Sequence, residues 1–435
     1  MNVLWLNAGL LLPLDKGGKL RTWHLMRHLA RRHHISYLSF ADPSASAATL
    51  DGMLDVCRSL ETVPRRDPPK GTWRFRLDAA RYIPQRVPYA IAKYRSAAYR
   101  QRVSDLVRHK RFDVIVCDFL VPLVNLPEDL PCPTVLFTHN VEAEIWRRHA
   151  ATAAHPLTRT LLRQQWGRMV RFEGRALARC DLVLAVSHAD VATFSRLYAG
   201  AARRPMHVVQ TGVDTEYFSP RPAPPRPAHL VFTGSMDWLP NEDAMLHFVH
   251  DVLPRIRAVE PSVTLSIVGR DPTPTVRQLA DHAGIEVTGR VDDVRPDIAR
   301  SRLYVVPLRI GGGTRLKIFE AMAMGRAVVS TTIGAEGLPV TSGRDIVIAD
   351  GPDAFARAVV DLIRDHDRRR RIEAGARQLV VDGYDWCAAA QNLEQALTTV
   401  ACEPAGASLS LRMERSAMLP AAPAINNIGK NQGPG

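Results

Sequence analysis

Gly311, Gly312, Gly313 and Thr314 stand directly before Arg315, Lys317 and Glu320, in the stretch PLRIGGGTRLKIFEAMAMGRAVVSTTIGAEG at 307–337. The glycines follow an apolar run at 303–308, and a helical pattern starts at Thr314. A strand passing through a glycine turn into a helix start is an anion-binding arrangement. The helix end offers unpaired N–H groups and a partial positive charge, and glycine lets a phosphate approach them. Arg315 and Lys317 would place full positive charges in a first turn where the helix dipole disfavours them. An anion bound there offsets that cost. Glu320, three residues after Lys317 and on roughly the same face, is the one acid close by. Such a set could hold a nucleotide's diphosphate and a sugar hydroxyl. The alternative is a loop that needs glycine for its backbone, followed by a solvated face of spaced ion pairs.

The elements around this stretch argue for a ligand cleft. VLWLNA at 3–8 predicts a buried strand, PLDKGGKLR a turn, 20–32 a helix and ISYLSF at 35–40 a second strand. That is the start of a doubly wound βαβ layout, in which ligands gather at strand C-terminal ends. It places Gly17, Gly18 and Arg21 on the rim of a crevice, although a glycine pair can equally serve a simple loop. FDVIVCD at 112–118, TVLFTHN at 134–140 and DLVLAVS at 181–187 predict further strands, with one long helical pattern reaching 179 and a capped helix at 187–199. His139 then falls at a strand's C-terminal end, with Glu142 and Glu144 close enough to orient it; a lone histidine is otherwise most often a satisfied structural residue.

At 219–229 the composition changes to SPRPAPPRPAH, five prolines in eleven positions, a stiff connector that reads as the domain boundary. Beyond it HLVFTGS at 229–235 restarts the pattern, with Gly234 and Ser235 at the strand end and a helix from about Asn241. Strands are predicted at 263–269, 285–291, 303–308, 327–332 and 346–350. The expected class is therefore α/β, with Rossmann-like domains at 1–218 and 230–383 facing a central cleft. A last helix at 384–402 would pack back on the first domain, and the aperiodic tail at 403–435 should be disordered.

Composition limits the alternatives. The chain has 435 residues, 46% hydrophobic and 23% charged, typical of a globular protein with two cores. No run of eighteen apolar residues occurs and no basic segment precedes the first apolar one, so neither a membrane span nor a cleaved signal is expected. The cysteines, Cys57, Cys117, Cys132, Cys180, Cys387 and Cys402, are scattered, as in reduced cytoplasmic proteins, and show no zinc spacing. The net charge is +13, and 65–111 holds fourteen Lys or Arg against three acids. Trp73, Phe75, Tyr82, Tyr89, Tyr94 and Tyr99 are interleaved with those bases, a mixture that suits an anionic membrane surface or a nucleic acid; the alternative is a solvated helical face.

Together the paired halves, the proline hinge, TGVDTEYFSP before it and EAMAMGRAVVSTTIGAEGL after it resemble the GT-B glycosyltransferases, specifically the family 4 group, over about 1–401. GGKLR and THNVE at 138–142 are similar to a subgroup of exopolysaccharide or cell-surface glycan assembly. The resemblance implies sugar transfer from a nucleotide-diphosphate donor, bound mainly by the second domain, to a glycan or lipid-linked acceptor bound by the first. It implies retention at the anomeric carbon, and neither metal nor cofactor, because basic side chains and helix N-termini neutralise the leaving diphosphate. By the same resemblance Glu320 meets the ribose, Gly311 to Thr314 approach the donor phosphates, and Arg290 and Val291 flank the base. Gly17 and Gly18 face the diphosphate and acceptor, and His139 lies near the reacting sugar. Ser235 could join Arg315 and Lys317 in holding the diphosphate. In an inverting reaction His139 or a carboxylate such as Asp15 would act as base.

Two departures stand out. Gly312 occupies the place of a second glutamate eight positions before Glu320, and GSMDWLPNEDA lacks the usual Arg and Lys pair after the domain's first strand. Competing classes are a GT-B-like nucleotide-sugar epimerase and a non-catalytic basic membrane or nucleic-acid binding protein. A dinucleotide oxidoreductase is disfavoured because no GxGxxG follows the first strand. With an enzyme expected, nucleic acid is not an expected partner. The location expected is the cytoplasm, with the inner membrane face within reach of 65–111.

Overall fold

A computed structural model describes residues 1–15, 17–66, 73, 81–82, 85–153, 155–198, 205–222, 226–311 and 315–402. Gly312, Gly313, Thr314, most of 67–84 and the tail at 403–435 lie outside the described residues, and with them the donor-phosphate turn and the disordered tail expected there.

Two parallel sheets organise the chain. The first has the order β3-β2-β1-β4-β5-β6-β7, built from Asn2–Leu6 (β1), His34–Ala41 (β2), Ser59–Pro64 (β3), Val114–Asp118 (β4), Thr134–Phe137 (β5), Leu182–Ala185 (β6) and Met206–Val208 (β7). The second has the order β10-β9-β8-β11-β12-β13, from His229–Thr233 (β8), Thr264–Val268 (β9), Ile285–Gly289 (β10), Leu303–Val306 (β11), Ala327–Ser330 (β12) and Val347–Ile348 (β13). Every pairing is parallel. Both orders are doubly wound, with a switch point beside the first strand of each sheet.

Parallel strands need cover on both faces, and alternation along each strand supplies two apolar surfaces. In the first sheet Val3, Trp5, Val114, Val116, Val135 and Phe137 face one core, while Leu4, Leu6, Ile115, Cys117 and Leu136 face the other. The helix Gly17–Leu29 and the helix Trp386–Cys402 cover the first of these faces. Thus the last helix joins the first domain's core through Trp386, Leu393 and Leu397, and its indole stacks on His24 at 5.0 Å.

Several boundaries differ from expectation. The first helix starts at Gly17, so the glycine pair is a helix start and not a turn ahead of one. The helix after the glycine-rich stretch is Leu316–Ala323, with Arg315 as its cap residue in place of a first-turn residue. The long pattern to 179 is two helices, Glu142–Thr152 and Pro156–Arg179. Within the basic segment Tyr99 is fully buried, its hydroxyl reaching the carbonyls of Asn7 (3.1 Å) and Leu38 (3.0 Å). Arg65 lies 4.4 Å from the Tyr94 ring and donates to the Lys93 carbonyl. These aromatics serve packing. Among the described residues no helix is long and apolar enough to cross a membrane. Four of the six cysteines are buried, whereas Cys387 and Cys402 are exposed.

Candidate functional site

At the second sheet's switch point, β8 ends at Gly234 and β11 leads to Gly311. Gly311 has φ +124°, a conformation that side chains rarely adopt. Lys317 turns back toward β8: its ammonium donates to Asn241 Oδ1 (3.0 Å) and lies 4.0 Å from the Phe232 ring centroid. Asn241, 2% exposed, is fixed in turn by donating to the Ser235 carbonyl (2.8 Å). A Cβ on Gly234 would come within 2.7 Å of both Lys317 Nζ and Asn241 Nδ2, so glycine is what lets the lysine lie there. Ser235 itself donates to Asp237 (2.5 Å).

The charged ends of Lys317 and Glu320 lie deep, although part of each side chain reaches solvent. Burial, with help from the Arg315 charge, lowers the Lys317 pKa to about 7. Burial raises Glu320 to about 7 against the pull of Lys317. Arg315, 5% exposed, has its pKa lowered to about 10 by burial, and its guanidinium lies 5.6 Å from the Trp238 ring. Burial thus disfavours the charged form of all three groups, two cations set against one acid. That imbalance is what an anion would relieve.

Across the cleft, His139 ends up between two fixed partners. Its Nε2 lies 2.7 Å from Asp118 Oδ1 and its Nδ1 lies 3.4 Å from Arg21 Nη1. A guanidinium can only donate, so Nδ1 accepts, and Nε2 carries the proton that it gives to Asp118. Burial, the largest cause, pushes the His139 pKa down and keeps the ring neutral. Asp118, fully buried, also accepts from Asn7 (2.7 Å), Thr22 (2.7 Å) and Trp5 (3.2 Å). Arg21 donates to Thr211, and burial lowers its pKa to about 10. The histidine stacks on Phe119 at 3.9 Å, and Phe119 lies so close to Gly18 that a Cβ there would be 2.8 Å from its ring. Beside this cluster an apolar cavity of about 290 Å³ is lined by Leu10, Gly18, Ile91, Tyr94, Phe119 and Glu142, among others.

The predicted residues are brought together unequally. Gly17 meets the second domain, since its Cβ would lie 3.2 Å from Leu316. Asp15 pairs with Lys19 (3.2 Å) and, over the cleft, with Arg270 (3.5 Å). Arg290 and Val291 follow β10 at the sheet edge, two strands from β8, and no hydrogen bond or ion pair among the described residues joins them to Lys317 or Glu320. Sequence reasoning missed Asp118, Asn241, Arg148 and Glu336. Asp118 carries the same signal that picked out His139, a polar residue ending a buried strand. Arg148, from the Glu142 helix, donates to both Glu336 oxygens (2.6 and 2.7 Å) and to the Gly311 carbonyl, so it joins the two domains.

Two doubly wound domains with glycine-lined strand ends opposed across a cleft define the GT-B class of α/β proteins. The Glycosyltransferase Family 4 profile matches residues 16–217, and that of Glycosyl transferases group 1 matches 227–365. The chain belongs to the family 4 GT-B glycosyltransferases. It is 32% identical over 162 residues to a phosphatidyl-myo-inositol mannosyltransferase of Mycobacterium tuberculosis, covering 35% of this chain and 42% of that protein. It is 24% identical over 165 residues to an uncharacterized 44.6 kDa protein in the cps region of Klebsiella pneumoniae, covering 36% of this chain and 42% of that one. These matches span less than half of either relative. Among solved structures, Anabaena HepE in complex with UDP and glucose superposes with a TM-score of 0.63 at 16% identity, over 91% of this chain and 99% of that one.

Proposed function

We propose that this protein transfers a sugar from a nucleotide-diphosphate sugar to a hydroxyl of a glycan or lipid-linked acceptor. The observation that carries the reading is the pair Arg315 and Lys317 at the β8/β11 switch point, whose charged forms burial disfavours, with Leu316 between them meeting Gly17 of the first domain. Bond cleavage leaves an oxocarbenium-like sugar and builds negative charge on the diphosphate. Cations already fixed in a dry site stabilise that charge without reorganising. Glu320, to which no described residue donates a hydrogen bond, is available for the ribose hydroxyls. Arg315 and Lys317 supply the charge that a metal would otherwise bring, so transfer should survive chelation by EDTA.

Retention fits the acceptor side. Both nitrogens of His139 are engaged, and Asp15 is tied to Lys19 and Arg270, which leaves the departing phosphate to take the acceptor's proton. His139 and Arg21 then position groups. The cps-region relative supports a role in polysaccharide or cell-envelope glycan synthesis. A lipid-linked acceptor would bring the protein to an anionic membrane through 65–111, which flotation with anionic vesicles at low and high salt reads directly.

The test is a panel of UDP- and GDP-sugars screened for a rise in melting temperature and then for transfer, with anomeric configuration assigned by NMR. If no donor binds, the reading falls; an inverted product would remove its retaining part alone.

A further inference from the structure

We propose that Arg148 is a ligand for the donor's diphosphate, supplied across the cleft by the first domain, and that Glu336 holds its guanidinium in place until the diphosphate replaces it. The proposal rests on the donor reading above and adds a residue and an exchange to it.

The bidentate contact is the starting point. Both terminal nitrogens of Arg148 engage Glu336, at 2.6 and 2.7 Å, while Nη1 also donates to the carbonyl of Gly311 and Nε to Glu144 on the same helix at 3.3 Å. Two parallel N–H···O bonds from a planar fork are how arginine binds carboxylate, and they are equally how it binds phosphate. The carboxylate thus shares Arg148 with the carbonyl of Gly311, four residues before Arg315. Glu336 is also the largest opposing charge felt by Arg315. One carboxylate therefore serves two guanidiniums, one from each domain.

Position argues for function over simple bracing. Arg148 sits on the Glu142 helix, whose first N–H groups, Glu142 N at 2.8 Å and Ala143 N at 3.2 Å, donate to the carboxyl of Glu173 on the neighbouring Pro156–Arg179 helix. The helix that carries Arg148 is thus anchored within its own domain. Glu336 lies in the turn after β12, and its side chain is 39% exposed against 17% for Arg148. The acid is free to swing away, whereas the guanidinium is the better-held partner. The exchange also accounts for a family departure: GSMDWLPNEDA offers no cation after β8, and a guanidinium from the opposite wall supplies one.

Charge makes the exchange favourable. A carboxylate brings a single charge, whereas a nucleotide sugar's diphosphate brings two and offers several acceptor oxygens. Removing Glu336 frees Arg148 from a competitor, and removing Arg148 deletes a ligand. An ion pair that only braced the domains would make the two changes equivalent, because each breaks the same bond.

The experiment measures binding of UDP, GDP and inorganic pyrophosphate by calorimetry to the full chain and to Arg148→Ala, Arg148→Lys and Glu336→Gln. Arg148→Ala should weaken diphosphate binding at least about tenfold, with Arg148→Lys intermediate because it keeps charge without the fork. Glu336→Gln should tighten it about threefold to tenfold, since the competing state is lost. Unchanged binding in Arg148→Ala, or weakening in Glu336→Gln alongside it, overturns the proposal and leaves the donor reading standing. Failure of the unaltered protein to bind any of the three probes overturns the donor reading itself, and this one with it.

Discussion

Lys317 and Glu320 titrate toward neutrality from opposite directions, and both shifts act on an anion in the same sense. The lysine's pKa is lowered to about 7, so its cation is present below that pH and is lost as pH rises through it. The glutamate's is raised to about 7, so above that pH it adds a negative charge. A nucleotide sugar's diphosphate does not itself titrate here. Its affinity should therefore fall by about tenfold from pH 6 to pH 8, the change in the protonated fraction of a group with pKa 7. Lys317→Arg, which stays charged, should flatten the profile. Calorimetry at both pH values checks this, and a flat profile in the unaltered protein would mean that Lys317 does not meet the anion. Asp118 poses a different question at the same scale. It is fully buried and accepts from Trp5, Asn7, Thr22 and His139, so Asp118→Asn turns an amide toward donors. The expected loss is about 3–5 kcal/mol of stability, read by urea unfolding, because buried donors are left unpaired.

At the scale of elements, the helix that delivers Arg148 depends on Glu173. That carboxyl is fully buried, and burial raises its pKa to about 8 even though Tyr198 (2.7 Å) and two backbone N–H groups donate to it. Glu173→Ala removes the cap and strands three donors, so it should cost about 2–4 kcal/mol and weaken diphosphate binding without touching the ligand. Thermal unfolding and calorimetry on one sample separate the two effects. Elements such as this helix show what could be read in advance. Strands buried on both faces, VIVCD or LYVV, are continuous apolar runs and were legible as strands. β3, SLETVP, is an edge strand with one buried residue among its six, and it presents no such run. Helix starts were displaced for the same local reason in two places. Glycines at 17–18 and 311–313 read as turn residues, yet the first pair begins a helix, with Gly18 leaving room for the Phe119 ring and Gly17 for Leu316. The candidate site was legible where one short stretch carried its residues, as with Arg315, Lys317 and Glu320. It was illegible where partners come from different domains: 188 residues separate Arg148 from Glu336, and RR in a helical pattern looks like any solvated face.

For the whole molecule, the C-terminal helix makes the two domains one folding problem. The chain leaves the first domain through 209–229 and returns beside it, with Val213 donating to the Tyr384 carbonyl at 2.8 Å and a Cβ on Gly212 meeting Trp386 at 2.8 Å. Trp386, Leu393, Leu397 and Val400 then complete a core to which the first sheet gives Val3, Trp5, Val114 and Phe137 and the first helix gives Trp23, Leu25 and Met26. Polar contacts fasten the same helix: Glu394 pairs with Arg32 and with His33 (2.8 Å), and Asn392 donates to the Val208 carbonyl (3.1 Å). Leu393 has no exposed surface, so Leu393→Ala should cost about 2–5 kcal/mol through lost burial and the cavity left behind. The loss should fall on the first domain although the residue is encoded after the second. Pulsed hydrogen exchange followed by mass spectrometry distinguishes the cases. Faster exchange in β1, β4 and the Gly17 helix, with β8, β9 and β11 unchanged, is the expected result. Faster exchange confined to β8–β13 would place this helix in the other core.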